Sequence, residues 1–205
     1  MWRYLPLAGV VLLLSIACCL RPLLQLRRHG SFGIFLFNSR GLTQNLRDFL
    51  LILLAILLLG QAMVAAAHPP PAALLVTASG LAHEILQVTG AIVMFCGIGL
   101  VAVAQLHLGA SWRIGIDAST QPGLVTDGLY RCSRNPIYLG LLMTVAGYAA
   151  LLPTWLSIGL LIGAYLGVRA QTTAEEAYLL KTYGDTYRDY ARRVGRFVPW
   201  LGKNT

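Results

Sequence analysis

Long runs of apolar residues without a charged side chain constrain this chain more than any other feature. Residues 49–67 form the clearest run, with 19 positions and no Asp, Glu, Lys or Arg. At about 1.5 Å per residue, a helix of that length crosses about 30 Å of hydrocarbon. Of 205 residues 57% are apolar and only 12% are charged, so a soluble fold would expose large apolar patches. The sequence therefore predicts a membrane protein and excludes a disordered or collagen-like chain.

Five apolar runs are candidate transmembrane helices. They cover residues 5–20, 49–67, 81–108, 137–152 and 154–168. Pro153 separates the last two runs, and because proline removes a helix hydrogen bond, we expect a tight helical hairpin there. Further on, the apolar spacing of residues 179–183, with Gly184 as a stop, predicts a helical segment, and a short helix follows over Asp185–Arg193. The predicted fold class is all-α integral membrane, with five transmembrane helices and a cytoplasmic C-terminal helical segment.

The positions of the basic residues predict the topology. The segments after the first, third and fifth runs carry fifteen of the sixteen Lys and Arg residues, and Arg3 alone lies on the opposite side. Because cytoplasmic loops of membrane proteins are enriched in Lys and Arg, we expect a multi-pass cell-membrane protein whose C-terminus is cytoplasmic. The net charge of +8 is then explained by topology, and nucleic acid is not an expected partner.

The sequence divides into an N-terminal three-span region, residues 1–108, and a second region, residues 109–205, that holds most of the informative motifs. The four cysteines and four histidines show neither a disulfide framework nor metal-ligand spacing, so no metal site is expected. No Walker, dinucleotide-binding or Gly-x-Ser-x-Gly motif is present. The chemistry must therefore come from other polar residues in the second region.

Two polar motifs flank the predicted hairpin. The first is Arg134-Asn135-Pro136 at the entry to the fourth span, where Asn135 suits the N-cap and Pro136 the first helical turn. The second is Glu175-Glu176, beyond the fifth span, with Arg169 seven residues before Glu176 and so on the same helix face. A glutamate pair there suits a cation, although it equally fits a solvated acidic face that balances the basic tail.

These motifs occur within a longer pattern that resembles the isoprenylcysteine carboxyl methyltransferase and phospholipid methyltransferase superfamily. The resemblance covers residues 109–201. It rests on Gly128-Leu129-Tyr130, Arg134-Asn135-Pro136-Ile137-Tyr138-Leu139-Gly140, Arg169, Glu175-Glu176, Tyr183-Gly184, Tyr187 and Arg196-Phe197-Val198-Pro199. It implies an integral membrane enzyme that uses S-adenosylmethionine, with the cofactor held at the cytoplasmic end of the bundle.

The resemblance also implies roles for individual residues. The residues carried over to the cofactor pocket are Tyr130, Arg134, Asn135, Pro136, Tyr138, Glu175 and Glu176. Arg134, Arg169 and Glu176 are the expected catalytic residues: the arginines bind a carboxylate of the cofactor or the acceptor, and Glu176 accepts a proton if the acceptor is an amine. The family's usual histidine is Asn135 here, and an asparagine cannot titrate near neutral pH.

The acceptor implied by the resemblance is a lipophilic molecule that enters from the bilayer, and the arginine pair favours the carboxylate of an isoprenylcysteine-like substrate. A phospholipid amine and a thiol remain alternatives. A second class is an NADPH-dependent membrane reductase of the sterol or steroid type, whose pattern usually continues Phe-Gly-Glu after the tyrosine, where this chain has Leu139-Gly140-Leu141. A third is a non-enzymatic membrane scaffold or sensor.

Overall fold

The computed structural model describes residues 2–30, 32–37, 41–68, 71, 74, 81–112, 123–199 and 201–202. Arg113 and the start of the loop that follows it, through Pro122, lie outside the described residues. The described part of the chain contains seven α-helices: α1 (Leu5–Leu14), α2 (Arg21–His29), α3 (Leu42–Ala67), α4 (Leu81–His107), α5 (Pro136–Leu151), α6 (Trp155–Tyr183) and α7 (Asp185–Arg193). The predicted all-helical class is confirmed for these residues.

Three of the helical segments are long and apolar enough to cross a membrane. Helices α1 and α2 are joined by the π-helical segment Ser15–Leu20 into one rod, Trp2–Arg28, and this rod has 27 residues, α3 has 26 and α4 has 27. Only 17% of the most apolar stretch of α3 is buried within the protein, so most of its side chains face outward, as lipid-facing residues do. The protein is therefore a multi-pass membrane protein. Helix α5 is apolar but shorter, and the count of five spans stays a prediction.

Two helices extend beyond the apolar runs that predicted them. Helix α3 begins at Leu42 rather than at residue 49, and its buried Asp48 accepts hydrogen bonds from the backbone N–H of Phe37 at 2.9 Å and from Gln44 at 2.9 Å. Helix α6 continues through Arg169 as one helix of 29 residues. A charged residue ends a hydropathy run, but it does not end a helix when its side chain has a partner or reaches solvent.

Helices α4 and α5 pack at backbone-to-backbone distance. A Cβ atom on Gly97 of α4 would lie 2.6 Å from the Gly140 carbonyl oxygen, and one on Gly147 of α5 would lie 2.5 Å from the Gly90 carbonyl oxygen. Because Gly97 meets Gly140 while Gly90 meets Gly147, the two helices are antiparallel. Small residues permit this close approach, as is common between membrane helices.

The predicted hairpin at Pro153 is present, because α5 ends at Leu151 and α6 begins at Trp155. The Thr154 hydroxyl accepts a hydrogen bond from the Ser157 N–H at 3.1 Å and so caps α6. Gln61 of α3 donates to the Thr154 hydroxyl at 2.6 Å and the Ser157 hydroxyl at 3.0 Å. These contacts fix the C-terminal third of α3 against the turn of the hairpin.

The opposite end of the bundle contains the N-terminal ends of α2 and α5 and the C-terminal end of α4. Arg21, at the start of α2, donates from Nε to the Gln105 carbonyl at 3.2 Å and from Nη2 to the Gly109 carbonyl at 2.6 Å. Its guanidinium carbon lies 4.9 Å from the ring centre of the buried Trp112. The N-terminal end of α5 lies at this same end, since α4 and α5 are antiparallel. We call this the basic end of the bundle.

Candidate active site

Four polar side chains from three parts of the chain meet at the basic end. Arg134 and Asn135 immediately precede α5, Glu176 lies on α6, and Arg196 follows α7. Arg134, Asn135 and Glu176 are buried, whereas the Arg196 side chain is 25% exposed. These four residues are called the Glu176 cluster below.

Glu176 lies at the centre of this cluster. Its Oε1 accepts a hydrogen bond from Asn135 Nδ2 at 3.0 Å, and its Oε2 accepts from Arg196 Nη2 at 2.7 Å and Nε at 3.1 Å. Arg134 Nε lies 3.6 Å from Oε1. A buried carboxylate is tolerated only with such charge-assisted partners. Two guanidinium groups therefore face one carboxylate, which leaves one positive charge uncompensated among the cluster's side chains.

Arg196 reaches Glu176 because backbone hydrogen bonds hold residues 195–196 against residues 133–135. Ser133 and Gly195 form a parallel β-bridge, the Arg134 N–H donates to the Gly195 carbonyl at 2.9 Å, and the Asn135 N–H donates to the Arg196 carbonyl at 3.1 Å. The segment then turns, and the Arg196 N–H donates to the Leu201 carbonyl at 3.0 Å. The residues before α5 and those after α7 are thus hydrogen-bonded to each other. We call the part after α7, residues 195–199 and 201–202, the closing segment.

Arg134 is enclosed by this arrangement. Its side chain is 1% exposed, and Nη2 donates to the Gly202 carbonyl at 2.7 Å. Its Nε and Nη1 have no hydrogen-bond partner among the described residues. Buried guanidinium N–H groups that lack a partner are costly, and they are suited to an incoming anion. The structure therefore places only weakly engaged donors beside Glu176, since Nε lies 3.6 Å from the carboxylate and the guanidinium also interacts with the Tyr187 hydroxyl.

Asn135 stands at the N-cap of α5, as predicted, but its side chain does not cap the helix. The carbonyl of Asn135 accepts from the Leu139 N–H at 3.1 Å, while the side-chain Nδ2 donates to Glu176 and, at 3.2 Å, to the Arg196 carbonyl. A hydrogen bond to a carboxylate is stronger than one to a backbone N–H, which explains why the side chain turns away from the helix. Pro136 occupies the first turn of α5, as predicted.

Glu175 belongs to a second, separate set of contacts. Its Oε1 accepts hydrogen bonds from the Tyr138 hydroxyl at 2.5 Å and from Gln171 Nε2 at 2.8 Å. Glu175 and Glu176 are adjacent in sequence, yet they point to different partners because successive helical residues lie about 100° apart. Since Glu176 is buried and both carboxylates accept hydrogen bonds, the pair does not form a solvated acidic face.

Tyr130 lies in a short 3-10 turn, Gly128–Arg131, and is buried against α7. Its carbonyl accepts a hydrogen bond from the Tyr190 hydroxyl at 2.7 Å. Burial raises the pKa of the Tyr130 hydroxyl, and Tyr190 and Glu175 act in the same direction, so the hydroxyl stays protonated and can donate. Gly128 has a φ of +59°, and a Cβ atom there would lie 2.7 Å from His107 Nδ1, so this turn requires glycine.

Arg169 is the predicted site residue that the structure does not bring into the cluster. It is exposed on α6, and its described side-chain contact is with the Tyr165 hydroxyl at 3.5 Å. It lies two helical turns from Glu176, about 10 Å along the axis. Arg169 and Glu176 do lie on the same face of α6, as the spacing predicted. The neighbouring parts of the chain bury Glu176 and leave Arg169 exposed.

Arg196 and Tyr190 were missed as site residues in the sequence. Arg196 stood within the recognised Arg-Phe-Val-Pro pattern, but nothing in its spacing indicated that it returns to α6. Tyr190 lies on α7 with the buried Tyr187, and the two rings pack edge to face with centroids 6.0 Å apart. The i, i+3 spacing of the tyrosines was a signal for a buried face of α7.

Sequence comparison identifies the protein class to which this geometry belongs. Residues 85–186 match the model of the phospholipid methyltransferase family. The solved structure of a eukaryotic intramembrane Ras methyltransferase, an isoprenylcysteine carboxyl methyltransferase, superposes with a TM-score of 0.57 over 91% of this chain and 62% of that one, at 20% identity. The chain belongs to the superfamily of integral membrane methyltransferases that contains the isoprenylcysteine carboxyl and phospholipid methyltransferases.

Characterised relatives match over part of their length. The protein-S-isoprenylcysteine O-methyltransferase of Schizosaccharomyces pombe is 35% identical over 38% of this chain and 34% of its own length. A methanethiol S-methyltransferase of Mycobacterium tuberculosis is 37% identical over 52% of this chain and 41% of its own length. Methanethiol S-methyltransferase 1 of Bradyrhizobium diazoefficiens is 36% identical over 46% of this chain and 32% of its own length. The matches thus span about a third to two fifths of these relatives.

Proposed function

We propose that the protein is an S-adenosylmethionine-dependent methyltransferase that methylates the carboxylate of a lipophilic, isoprenylcysteine-like acceptor. The observation that carries this proposal is the excess of cationic groups in the Glu176 cluster. Two arginines face one glutamate, and Arg134 keeps two buried N–H groups without a partner. A ligand carboxylate supplies both the missing charge and the missing acceptors.

The residues at the basic end fit the cofactor. The Nε and Nη1 groups of Arg134 suit one carboxylate, the cofactor's or the acceptor's, and the carboxylates of Glu175 and Glu176 suit the cofactor's ammonium or ribose hydroxyl groups. Asn135, Pro136 and the hydroxyls of Tyr130 and Tyr138 complete the proposed pocket. When bound, S-adenosylmethionine supplies a methyl group on a cationic sulfur, so the protein needs mainly to align the acceptor and exclude water.

The state of the two glutamates favours an acceptor that needs no enzymatic base. Glu176 accepts hydrogen bonds from Asn135 and Arg196, and Glu175 accepts from Tyr138 and Gln171. The carboxylate oxygens named here are thus already engaged by donors from the protein, so neither glutamate is placed as a dedicated base for an ammonium group. A carboxylate acceptor is already deprotonated at neutral pH, whereas a phospholipid amine has to lose a proton first.

Arg169 is proposed to receive the acceptor's carboxylate at the lipid-facing side of α6 and so to act at the entrance to the site. It is exposed and lies two turns before Glu176. We place the basic end, and with it the C-terminal segment, on the cytoplasmic side, because that is where Lys and Arg residues concentrate in membrane proteins.

Thiol methylation is the second candidate, and the matches to methanethiol S-methyltransferases favour it. The two reactions differ in pH dependence. A carboxylate acceptor is fully ionised above about pH 5, so its rate stays flat near neutrality. A thiol reacts as the thiolate, so its rate rises with pH toward the thiol pKa of about 8.5 or above.

The test is an assay with methyl-labelled S-adenosylmethionine and three acceptors: a prenylcysteine, a small thiol and an amine phospholipid. We expect label in the prenylcysteine, in a form that alkali releases as methanol, because a methyl ester is base-labile and a thioether or methylamine is not. Arg134→Gln and Arg196→Gln are expected to lose activity, while Arg192→Gln, on the exposed face of α7, retains it. Labelling of the amine lipid alone contradicts the carboxylate proposal, and absence of cofactor binding to the folded protein contradicts the methyltransferase proposal.

A further inference from the structure

A surface cavity at the basic end lies outside the Glu176 cluster. It has a volume of about 360 Å³, counting the space open to solvent. Its lining residues are Arg131, Cys132, Arg193, Val194, Gly195 and Pro199. No member of the Glu176 cluster lines it, so the cavity is a separate feature from the proposed methyl-transfer site.

The charge in this cavity is entirely positive among its lining residues. Arg131 and Arg193 are both exposed, and neither forms an ion pair within the described part of the chain. Arg193 uses only Nε, which donates to the Asp189 carbonyl at 3.2 Å. The neighbouring Arg188 and Arg192 behave differently, because each pairs with an aspartate on α7. The cavity therefore presents two guanidinium groups that are available to an anion.

The rest of the lining indicates that this anion carries an apolar part. Val194 and Pro199 supply apolar surface beside the two arginines. The cavity also lies next to the Ser133–Gly195 bridge, immediately before Pro136 begins the apolar helix α5. That is the level at which a membrane helix leaves the headgroup region and enters hydrocarbon. A soluble anion would use only the arginines, whereas a lipid headgroup would also contact the apolar wall.

We propose that this cavity binds the phosphate of an anionic phospholipid headgroup. Arg131 and Arg193 contact the phosphate, and Val194 and Pro199 contact the glycerol region. Because Gly195 is part of both the cavity wall and the bridge that presents Arg196 to Glu176, the bound lipid stabilises the closing segment. The lipid in this cavity is a structural ligand and not the methyl acceptor.

Cys132 provides a direct probe, because its thiol is exposed and lines the cavity. In a variant with Cys18, Cys19 and Cys96 replaced by alanine, alkylation of Cys132 by a neutral, membrane-impermeant maleimide is followed. The protein is reconstituted in vesicles of phosphatidylcholine alone or with increasing phosphatidylglycerol. We expect alkylation to slow in a saturable way as phosphatidylglycerol increases.

The arginines are tested with a charge-matched control. Arg131→Gln/Arg193→Gln is expected to shift half-protection to about 30-fold more phosphatidylglycerol, given the typical attraction of an anionic surface for each basic residue. Arg188→Gln/Arg192→Gln removes the same charge outside the cavity and should leave protection unchanged. Equal loss in both variants, or no protection in the parent protein, overturns the proposal. Protection by inorganic phosphate in phosphatidylcholine vesicles, as strong as that by phosphatidylglycerol, overturns the lipid assignment.

Discussion

At the scale of single residues, Glu176 holds together groups that are far apart in the chain. It is the shared partner of Asn135 before α5 and of Arg196 after α7. Removal of one member of a buried ion pair leaves the remaining charges buried and unpaired, which costs more than the pair contributes. We therefore expect loss of this one carboxylate to lower the free energy of unfolding more than loss of any other member of the cluster.

We predict that Glu176→Gln destabilises the folded protein by about 3 kcal/mol, because two guanidinium groups then lack their counter-ion. Glu175→Gln is the matched control. Its neutral amide oxygen can still accept from Tyr138, so the loss should be about 1 kcal/mol. Denaturant unfolding in a mild detergent measures both. Equal effects in the two variants would show that Glu176 is not the centre of the cluster.

The two tyrosines of α7 offer a second matched pair. The Tyr190 hydroxyl donates to the Tyr130 carbonyl, whereas the buried Tyr187 hydroxyl makes no such well-aligned hydrogen bond among the described residues and interacts only with the Arg134 guanidinium nearby. We expect Tyr190→Phe to cost about 1–2 kcal/mol, because a buried carbonyl loses its donor. Tyr187→Phe should change the free energy of unfolding by less than about 0.5 kcal/mol at neutral pH.

Tyr187 is also expected to affect stability at alkaline pH. Burial raises the pKa of Tyr187 from its usual value near 10 to about 12, and Glu176 acts in the same direction while Arg134 opposes it. A raised pKa means that the stability is fully present below about pH 10 and is lost as the pH rises through about 12. The Tyr187→Phe variant should therefore lose less stability than the parent between these values. An identical alkaline loss in parent and variant would contradict this.

The sequence predicted the site residues that belong to a local motif. It did not predict those that reach the site only through contacts between distant parts of the chain. Arg134, Asn135, Pro136 and Glu176 were identified from sequence, and the structure brings them together. Asn135 occupies the predicted N-cap position, but its side chain binds Glu176 instead of the helix, and local propensity could not reveal a carboxylate on another helix. The role of Arg196 was hidden for the same reason.

At the scale of elements, helices α4 and α5 pack closely because glycines, which have no side chain, lie at their interface. Gly97 and Gly140 each face a carbonyl oxygen of the other helix. Without a hydrophobic driving force between helices in lipid, such close packing provides much of the association energy. The position of Asn135 at the N-terminal end of α5 depends on this interface, because it fixes α5 against α4 at backbone distance.

Gly97→Ala is predicted to destabilise the protein by about 1–3 kcal/mol, since the new Cβ would meet backbone atoms that cannot move independently. Gly99→Ala is the control two positions along the same helix, where a Cβ meets nothing within 4 Å. It should be neutral or stabilising by up to about 1 kcal/mol, because alanine favours helix. The comparison is made by unfolding in detergent, and equal destabilisation would contradict the packing account.

Hydropathy predicted the apolar helices, but not the polar ends of α3 and α6. The hairpin at Pro153 and the helix Asp185–Arg193 were predicted correctly. The N-terminal turns of α3 were missed, and the helix predicted around Arg169 and Glu176 was not recognised as continuous with the fifth apolar run. A hydropathy run reports contact with lipid, while helix length is set by hydrogen bonds that charged residues do not interrupt.

At the scale of the whole molecule, the helices divide the chain into two unlike ends. Arg21, Arg134 and Arg196 lie at the basic end, and the hairpin turn and Gln61 lie away from it. Helix α5, with 16 residues, is about 24 Å long, which is shorter than the ~30 Å hydrocarbon layer, so the predicted crossing requires local thinning of the bilayer. The five-span topology predicts that these two ends lie on opposite sides of the membrane.

Impermeant maleimide should label Cys132 and an Arg188→Cys variant from one side of sealed vesicles. A Trp155→Cys variant, at the exposed start of α6, should be labelled only from the other side. The variants are built without Cys18, Cys19 and Cys96, and labelling after permeabilisation controls for access. Labelling of Trp155→Cys and Cys132 from the same side would show that the hairpin does not cross the membrane.

The position of the closing segment in the chain has a consequence for biosynthesis. Helices α1–α6 precede residues 195–202 in the chain, so they are synthesised before the closing segment exists. Arg196 and the Gly202 carbonyl then reach Glu176 and Arg134 only after this segment leaves the ribosome. Assembly of the Glu176 cluster is thus a late event in synthesis, and a nascent chain that lacks the closing segment also lacks the complete cluster.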